Sequence, residues 1–174
     1  MSTKTTSSKV SNSLFLVRQP IKAASSKEVV VEAVNHVAII DCSGSMYAEL
    51  PRIREQLKKR IPKLLKEQDT LSVIWFSGRG QCGVLLEAEP IATLTDLQAV
   101  NGAIDRWLKT VGLTGFKEPI ELVSKLVATV AKKNSNPFAM FFMSDGCDNQ
   151  WSRQEILKAV ELVSGKLASA SFVE

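Results

Sequence analysis

The stretch AIIDCSGSM, residues 38–46, decides the fold of this chain. Its first three residues, 38–40, belong to the apolar run HVAII, residues 36–40. This run predicts a short strand buried on both faces of a sheet. The run stops at Asp41, and Ser43 and Ser45 follow it closely. In open α/β sheets, ligands bind beyond the carboxyl ends of the strands, so these oxygen-bearing side chains predict a ligand site there.

Outside this stretch, strand patterns alternate with helix patterns. The predicted strands are residues 36–40, 70–77, 82–88, 137–145 and 167–174, and the predicted helices are residues 47–68, 95–110, 118–133 and 152–165. The third strand follows the second after the short turn GRGQ, so this pair is expected to be antiparallel. The pattern predicts an α/β fold: a doubly wound, Rossmann-like, mostly parallel central sheet with helices on both faces and one antiparallel edge strand.

Several residues mark the ends or breaks of the predicted helices. Thr95 with Gln98, and Ser152 with Glu155, have the spacing of capping boxes at helix starts. Pro62 falls inside the first helical pattern and is expected to kink or break that helix, because its ring clashes with the preceding turn.

The chain divides into three parts by composition. Residues 1–13 are rich in Ser, Thr and Lys and are expected to be a disordered tail. Residues 14–33 are expected to be an extended lead-in, and residues 34–174 a single domain. Because the last residues look like a strand and a doubly wound sheet normally continues, we expect this domain to be truncated at its C-terminus.

Composition limits the cellular setting. The 174 residues are 45% hydrophobic, as in a globular domain, and no apolar run is long enough for a membrane span. The N-terminus lacks the apolar core of a secretory signal, so a cytoplasmic location is expected. Cys42, Cys82 and Cys147 are odd in number and show no CxxC spacing, which favours reduced thiols over disulfides or zinc.

The formal net charge of +4 is concentrated in residues 52–66, RIREQLKKRIPKLLK. Apolar residues recur there at helical spacing, which favours the solvated face of an amphipathic helix. A nucleic-acid-binding helix is the alternative, and the lack of interleaved aromatic residues argues against it.

Polar residues follow three separate elements of the predicted fold. Asp41, Ser43 and Ser45 follow the first buried strand, Thr114 lies in the loop VGLTGF, and Asp145 lies in MSDG after the FAMFF strand. Together they offer two carboxylates and three hydroxyls, the hard oxygen ligands that suit a divalent cation such as Mg²⁺. With only two carboxylates, such an ion would still polarise an anionic ligand supplied from outside.

The motifs DCSGS, LTG and SDG, in this order, resemble the metal-ion-dependent adhesion site (MIDAS) of von Willebrand factor A (vWA) domains. The resemblance extends from about residue 34 to the C-terminus. It implies that the hydroxyls of Ser43, Ser45 and Thr114 reach Mg²⁺ (or Mn²⁺ or Ca²⁺), while Asp41 and Asp145 mostly hold coordinated waters.

The same resemblance implies a function. A protein partner would supply an Asp or Glu that completes the metal sphere, so the chain would be a non-catalytic protein-binding module rather than an enzyme. The absence of export features favours an intracellular, bacterial-type member of the family. An AAA+ ATPase or a multiprotein assembly would be a typical partner, with no nucleic acid and no membrane involved.

Simpler roles remain open for individual residues. Asp41, Ser43 or Ser45 could cap the following helix, although one cap does not account for all three. Thr114 could serve as a loop or capping residue. Asp148, in CDN, is interpreted as a loop residue rather than a ligand.

A metal-dependent hydrolase or phosphoryl-transfer enzyme is the alternative function, and it needs a general base beside the metal. His36 is the only histidine and begins the strand whose far end carries the serines. A phosphatase-type Cys-x5-Arg loop starting at Cys42 fails because residue 48 is alanine. The sequence therefore favours a binding module.

Overall fold

The computed structural model describes residues 33–92, 102, 104–106 and 108–173, apart from the side chains of residues 60–62. The predicted tail at residues 1–13 and the lead-in up to residue 32 lie outside the described residues, as does the predicted capping box of Thr95 and Gln98.

Five strands form one mixed sheet: β1 (Asn35–Asp41), β2 (Thr70–Phe76), β3 (Cys82–Pro90), β4 (Phe138–Met143) and β5 (Ser169–Val173). Their spatial order is β3-β2-β1-β4-β5. β1 is parallel to β2 and β4, β5 is parallel to β4, and only β3 runs antiparallel, at one edge. The predicted mostly parallel sheet with one antiparallel edge strand is confirmed.

The helical segments are a 3-10 turn (Gly44–Tyr47), α1 (Leu50–Glu55), a π-helical turn (Gln56–Arg60), α2 (Ile61–Leu64), α3 (Lys117–Val130) and α4 (Arg153–Ser164). Residues 104–106 are also helical, within the predicted helix 95–110. None of the helices in the described part of the chain has both the length and the apolar character needed to cross a bilayer.

β1 is buried on both faces, as its continuous apolar run predicts. Val37 and Ile39 belong to a core shared with α3 and α4. Ala38 and Ile40 belong to a second core shared with α1, Ile104 and Leu108. Successive side chains of a strand point to opposite faces, so helices must cover both sides of the sheet. This packing fixes β1 in the middle of the fold.

The prediction of a helix over residues 47–68, kinked or broken at Pro62, is wrong in its bounds. The segment begins as a 3-10 turn, and α1 starts only at Leu50, with Pro51 in the first turn, where no backbone N–H is needed. Helical structure ends at Leu64, because the Lys66 N–H donates to the Asp69 carboxylate at 3.0 Å instead of continuing the helix.

Pro62 disturbs this segment without ending it. The π-helical turn lies directly before α2, which contains Pro62. Proline has no N–H to donate to the carbonyl four residues earlier, so the regular α-helical hydrogen bond cannot form there and a wider turn is accommodated.

The last helix follows its sequence signals. α4 begins after Ser152, whose side chain accepts a hydrogen bond from Glu155 N, and the Glu155 side chain reciprocates on the Ser152 N–H. The helix ends at its C-cap, Gly165. The predicted capping box and helix end are thereby confirmed.

Candidate metal centre

The candidate site lies where the strand order reverses. From β1 the chain passes to β2, which lies beside β1 in the sheet. It later reaches β4, which lies on the opposite side of β1. Asp41 is the last residue of β1, and Asp145 follows the end of β4. Since β1 and β4 are parallel neighbours, their carboxyl ends meet at one rim, at the switch point where α/β sheets bind ligands.

Asp41 is fully buried, and hydrogen bonds fix both of its carboxylate oxygens. Oδ1 accepts the backbone N–H of Ser43 at 2.7 Å, and Oδ2 accepts the hydroxyl of Ser144 at 2.6 Å. Both donors are neutral. The role of Ser144 was missed from the sequence, although this residue belongs to the SDG motif.

The two serines connect Asp41 to Asp145 across the rim. Ser43 Oγ lies 3.2 Å from Ser45 Oγ, and Ser45 Oγ donates to Asp145 Oδ1 at 2.9 Å. Ser43 is buried, whereas Ser45 and Asp145 are exposed. Ser43 precedes the 3-10 turn but makes no side-chain capping bond, so helix capping does not explain it.

Thr114 lies in a loop that packs against the serine segment. The Val111 N–H donates to Cys42 O at 2.6 Å, and the Gly44 N–H donates to Gly112 O at 3.2 Å. Thr114 is buried, and its own backbone N–H donates to Asn149 Oδ1 at 3.1 Å. Within the described residues, no hydrogen bond joins the Thr114 hydroxyl to the other four predicted side chains.

The loop before Thr114 requires a glycine at residue 112. Gly112 has φ +65°, a left-handed conformation that L side chains rarely adopt. A Cβ at this position would lie 2.9 Å from Gln81 Oε1. Gly112 thereby shapes the wall of the site, a role that was not predicted from the sequence.

Asp148 is a structural residue of the loop after β4, in agreement with its interpretation from sequence. Its carboxylate accepts the backbone N–H groups of Phe116 at 2.5 Å, Gln150 at 2.8 Å and Trp151 at 2.6 Å. These bonds join the loop after β4, which contains Asn149, to the start of α3, which Thr114 precedes by three residues.

The three cysteines are free thiols in different surroundings. Cys42 is buried; burial, and secondarily the neighbouring Asp41 carboxylate, raises its pKa to about 12. Cys82 is half-buried, and burial raises its pKa as well, whereas Cys147 is exposed. Cys42 is therefore protonated at neutral pH and unsuited to act as a nucleophile.

The donor set fits a hard divalent cation. Among the described residues, no three His, Cys, Asp or Glu side chains cluster as a conventional metal site. The rim instead combines two carboxylates with hydroxyls. Neither Asp41 nor Asp145 has a Lys, Arg or His partner within 4.0 Å in the described part of the chain. Buried charges are normally paired or bound to metals, so a cation would complete this arrangement.

Several solved structures have a fold similar to that of this chain. The chain is similar to a von Willebrand factor type A protein from Catenulispora acidiphila, with 20% identity and a TM-score of 0.63 over 81% of this chain and 33% of the other. It is also similar to manganese-loaded TRAP protein from Plasmodium vivax, with 16% identity and a TM-score of 0.62 over 82% of this chain and 57% of the other.

A third similar structure is the pilus adhesin SpaC from Lactobacillus rhamnosus GG, with 20% identity and a TM-score of 0.57 over 71% of this chain and 18% of the other. The chain thus spans a third or less of two of these proteins and just over half of the other. No protein-family model and no curated protein matches the sequence. These likenesses show that the chain has the Rossmann-like fold of vWA domains.

Proposed function

We propose that this chain is a non-catalytic, divalent-metal-dependent protein-binding module, a vWA domain with a MIDAS. The observation that carries the proposal is the pair of carboxylates, Asp41 and Asp145, connected through Ser43 and Ser45 at the switch point without a cationic partner among the described residues.

The metal would be Mg²⁺, Mn²⁺ or Ca²⁺. Ser43, Ser45 and Thr114 would hold it by their hydroxyls, with Asp41 and Asp145 beside it. A bound ion with few anionic ligands keeps an affinity for an external carboxylate, which is the chemistry it supplies here. The similarity in fold to a manganese-loaded protein supports this choice of metals.

This chain's residues orient the site in advance. The Ser43 N–H and the Ser144 hydroxyl hold the buried Asp41 carboxylate in place, so its position does not depend on the ion. Ser45 and Asp145 are exposed and can exchange their mutual hydrogen bond for a ligand. A rigid base with an open outer edge suits reversible binding of a partner's Asp or Glu.

A role without catalysis is also part of the proposal. His36 lies at the start of β1, and Asp41 lies at its end, so the imidazole is about 16 Å from the rim at the ordinary rise of a strand. The protonated Cys42 offers no nucleophile. A cytoplasmic location and a partner of the AAA+ ATPase or multiprotein-assembly type complete the proposal, supported by the sequence resemblance.

Thermal unfolding with and without Mg²⁺ or Mn²⁺ tests the proposal. A metal at about 100 times its Kd stabilises the folded state by about 2.7 kcal/mol, which raises Tm by about 5–10 °C. The double variant Ser43→Ala/Ser45→Ala should lose this rise while keeping its circular dichroism spectrum.

The matched control is Ser169→Ala/Ser171→Ala, which removes two exposed hydroxyls from β5. It should respond to metal as the wild type does. If the wild type shows no shift at millimolar metal, or if the rim variant and the control respond equally, the metal site is wrong. Magnesium-dependent phosphoester hydrolysis that Asp41→Ala abolishes would favour the enzyme instead.

A further inference from the structure

A cleft of about 660 Å³ lies beside the candidate metal centre. The 3-10 turn and α1 form one wall, and residues 108–110 form the other. Its lining includes Tyr47, Leu50, Pro51, Arg54, Leu108 and Lys109. None of the five predicted MIDAS residues is among the residues that line this cleft.

The cleft and the metal centre share their walls. Ser45 and Tyr47 belong to the same four-residue 3-10 turn, so one end of this turn faces the metal rim and the other lines the cleft. On the opposite wall, residues 108–110 lead directly into the loop whose Val111 N–H donates to Cys42 O. A ligand bound at the metal rim would therefore lie next to the cleft.

The charge of the cleft is positive. Arg54 and Lys109 line it, and no Asp or Glu occurs among its described lining residues. Neither cation has a carboxylate within 4.0 Å in the described ranges, so neither is neutralised by an ion pair there. Tyr47 also lines the cleft. It has 77% of its surface exposed, an unusual exposure for a large aromatic residue.

We propose that this cleft is a second recognition site for the protein partner and binds a further carboxylate of the same acidic segment. The inference rests on the proposed function, in which a first Asp or Glu of that segment completes the metal sphere. Arg54 and Lys109 bind the second carboxylate, and Tyr47 packs against the side chains between the two acids. The cleft thereby selects partners with paired acidic residues over those with a single one.

Nucleic acid fits this surface less well. Proteins that bind it neutralise many phosphates along a groove, commonly 6–10 of them. The cleft provides two cations, and the adjoining rim carries the carboxylate of Asp145. An acidic peptide segment with one group on the metal and one in the cleft matches this charge distribution.

A displayed peptide library with one fixed Asp and randomised flanking positions provides the probe, with selection on the intact chain in Mg²⁺. Enriched peptides are expected to carry a second Asp or Glu at a preferred distance from the fixed one. A charge-assisted carboxylate contact contributes about 1.5–3 kcal/mol, so Arg54→Ala/Lys109→Ala should weaken these peptides at least about tenfold. It should not change the affinity of a peptide that has the fixed Asp alone.

The matched control is Arg52→Ala/Arg106→Ala, which removes the same charge from exposed positions outside the cleft. Arg52 lies two residues from Arg54 on α1, about 200° around the helix. This control should bind the two-acid peptides as the wild type does. The metal-dependent rise in Tm should be the same in the wild type, the cleft variant and the control.

The outcomes separate the two proposals. Magnesium-dependent peptides that show no second acid, or that the cleft variant binds normally, overturn the cleft site and leave the metal centre standing. The absence of any magnesium-dependent peptide counts against the proposed function and with it the cleft. Binding of single-stranded oligonucleotides that the cleft variant loses, with no preference for acidic peptides, assigns the cleft to nucleic acid and overturns the inference.

Discussion

At the amino ends of β1 and β2, buried polar side chains bond to one another, whereas at the carboxyl ends of β1 and β4 the polar side chains reach solvent at Ser45 and Asp145. Asn35 donates to Asn134 Oδ1 at 2.8 Å and accepts the Thr70 hydroxyl at 2.8 Å. Asp69 accepts the N–H groups of Val34 at 2.9 Å and Lys66 at 3.0 Å. This end of the sheet is a closed network.

The carboxyl rim holds similar residue types in a different state. Asp41 is held by neutral donors, while Ser45 and Asp145 are exposed and hydrogen-bond to each other. Polar side chains at the end of a sheet therefore do not by themselves define a binding site. A closed network contributes stability, whereas an open set of oxygen ligands over a fixed base can exchange its internal bonds for a ligand.

The largest expected effect is the loss of metal binding in Asp145→Ala. Asp145 is one of only two carboxylates at the rim and would hold waters of the ion, so its removal should lower the affinity for Mg²⁺ or Mn²⁺ about 100-fold, the upper end of the range for residues behind the ligands. The residue is exposed, so the free energy of unfolding without metal should change by less than about 0.5 kcal/mol. Isothermal titration calorimetry and urea unfolding measure the two quantities.

Asp105→Ala is the matched control for that variant, since Asp105 is an exposed carboxylate that pairs with Lys58 away from the rim. It should bind metal normally. Equal metal affinity in the wild type and Asp145→Ala would remove the distinction between the two ends of the sheet.

At the amino end, Asp69→Ala should have the opposite effects: it should lower the stability and leave the metal affinity nearly unchanged. The change leaves two backbone N–H groups without their acceptor, so the free energy of unfolding should fall by about 2–4 kcal/mol. Metal affinity should stay within about twofold of the wild type. A large loss of metal binding measured below the unfolding transition would show that the two ends are coupled.

Ser144→Ala tests whether the carboxyl rim needs a donor that positions Asp41. The variant removes the donor to Asp41 Oδ2, and metal affinity should fall about tenfold because a residue behind a ligand orients it. Ser124→Ala, which loses a hydroxyl contact to Leu162 O far from the rim, is the control and should bind metal as the wild type does. An unchanged affinity in Ser144→Ala would mean that Asp41 needs no positioning.

The smallest expected effect is the pH dependence of the stability that Asp69 contributes at the amino end of the sheet. Burial opposes ionisation of Asp69, but the N–H groups of Lys66 and Val34 together with His36 outweigh it and lower the Asp69 pKa. Its contribution to stability is therefore present above the unfolded pKa of about 3.9 and is lost as the pH falls through the lower folded value. The stability difference between the wild type and Asp69→Asn should be largest at neutral pH and shrink as the pH falls through the lowered folded pKa of Asp69. A constant difference would mean that Asp69 does not titrate with folding.

Local signals made much of this architecture predictable. The apolar run before Asp41 gave the central strand, the short turn after β2 gave the antiparallel edge, and Ser152 with Glu155 gave the start of α4. Each of these depends on residues close together in the sequence, where periodicity and capping act. The meeting of Asp41 with Asp145 was also predictable, because parallel strands share their carboxyl edge.

Individual hydrogen bonds between distant segments were not predictable. Ser144 bonds to Asp41 across 103 residues, and Asn149 positions Thr114 across 35 residues. Ser144 belongs to the SDG motif, but neither its local sequence nor that of Asn149 indicates its hydrogen-bond partner. The π-helical turn before Pro62 was also missed, because the strain of a proline can be relieved by ending, bending or widening a helix, and packing decides among these.

The unequal surroundings of the cysteines give experimental access to the rim. Cys147 is exposed two residues after Asp145, whereas Cys42 is buried and Cys82 half-buried, both with raised pKa values. A maleimide dye at neutral pH should attach to Cys147 first, since reaction requires an accessible thiolate. The natural chain thus carries a built-in attachment point for a fluorophore whose emission can follow cation uptake and partner docking in real time.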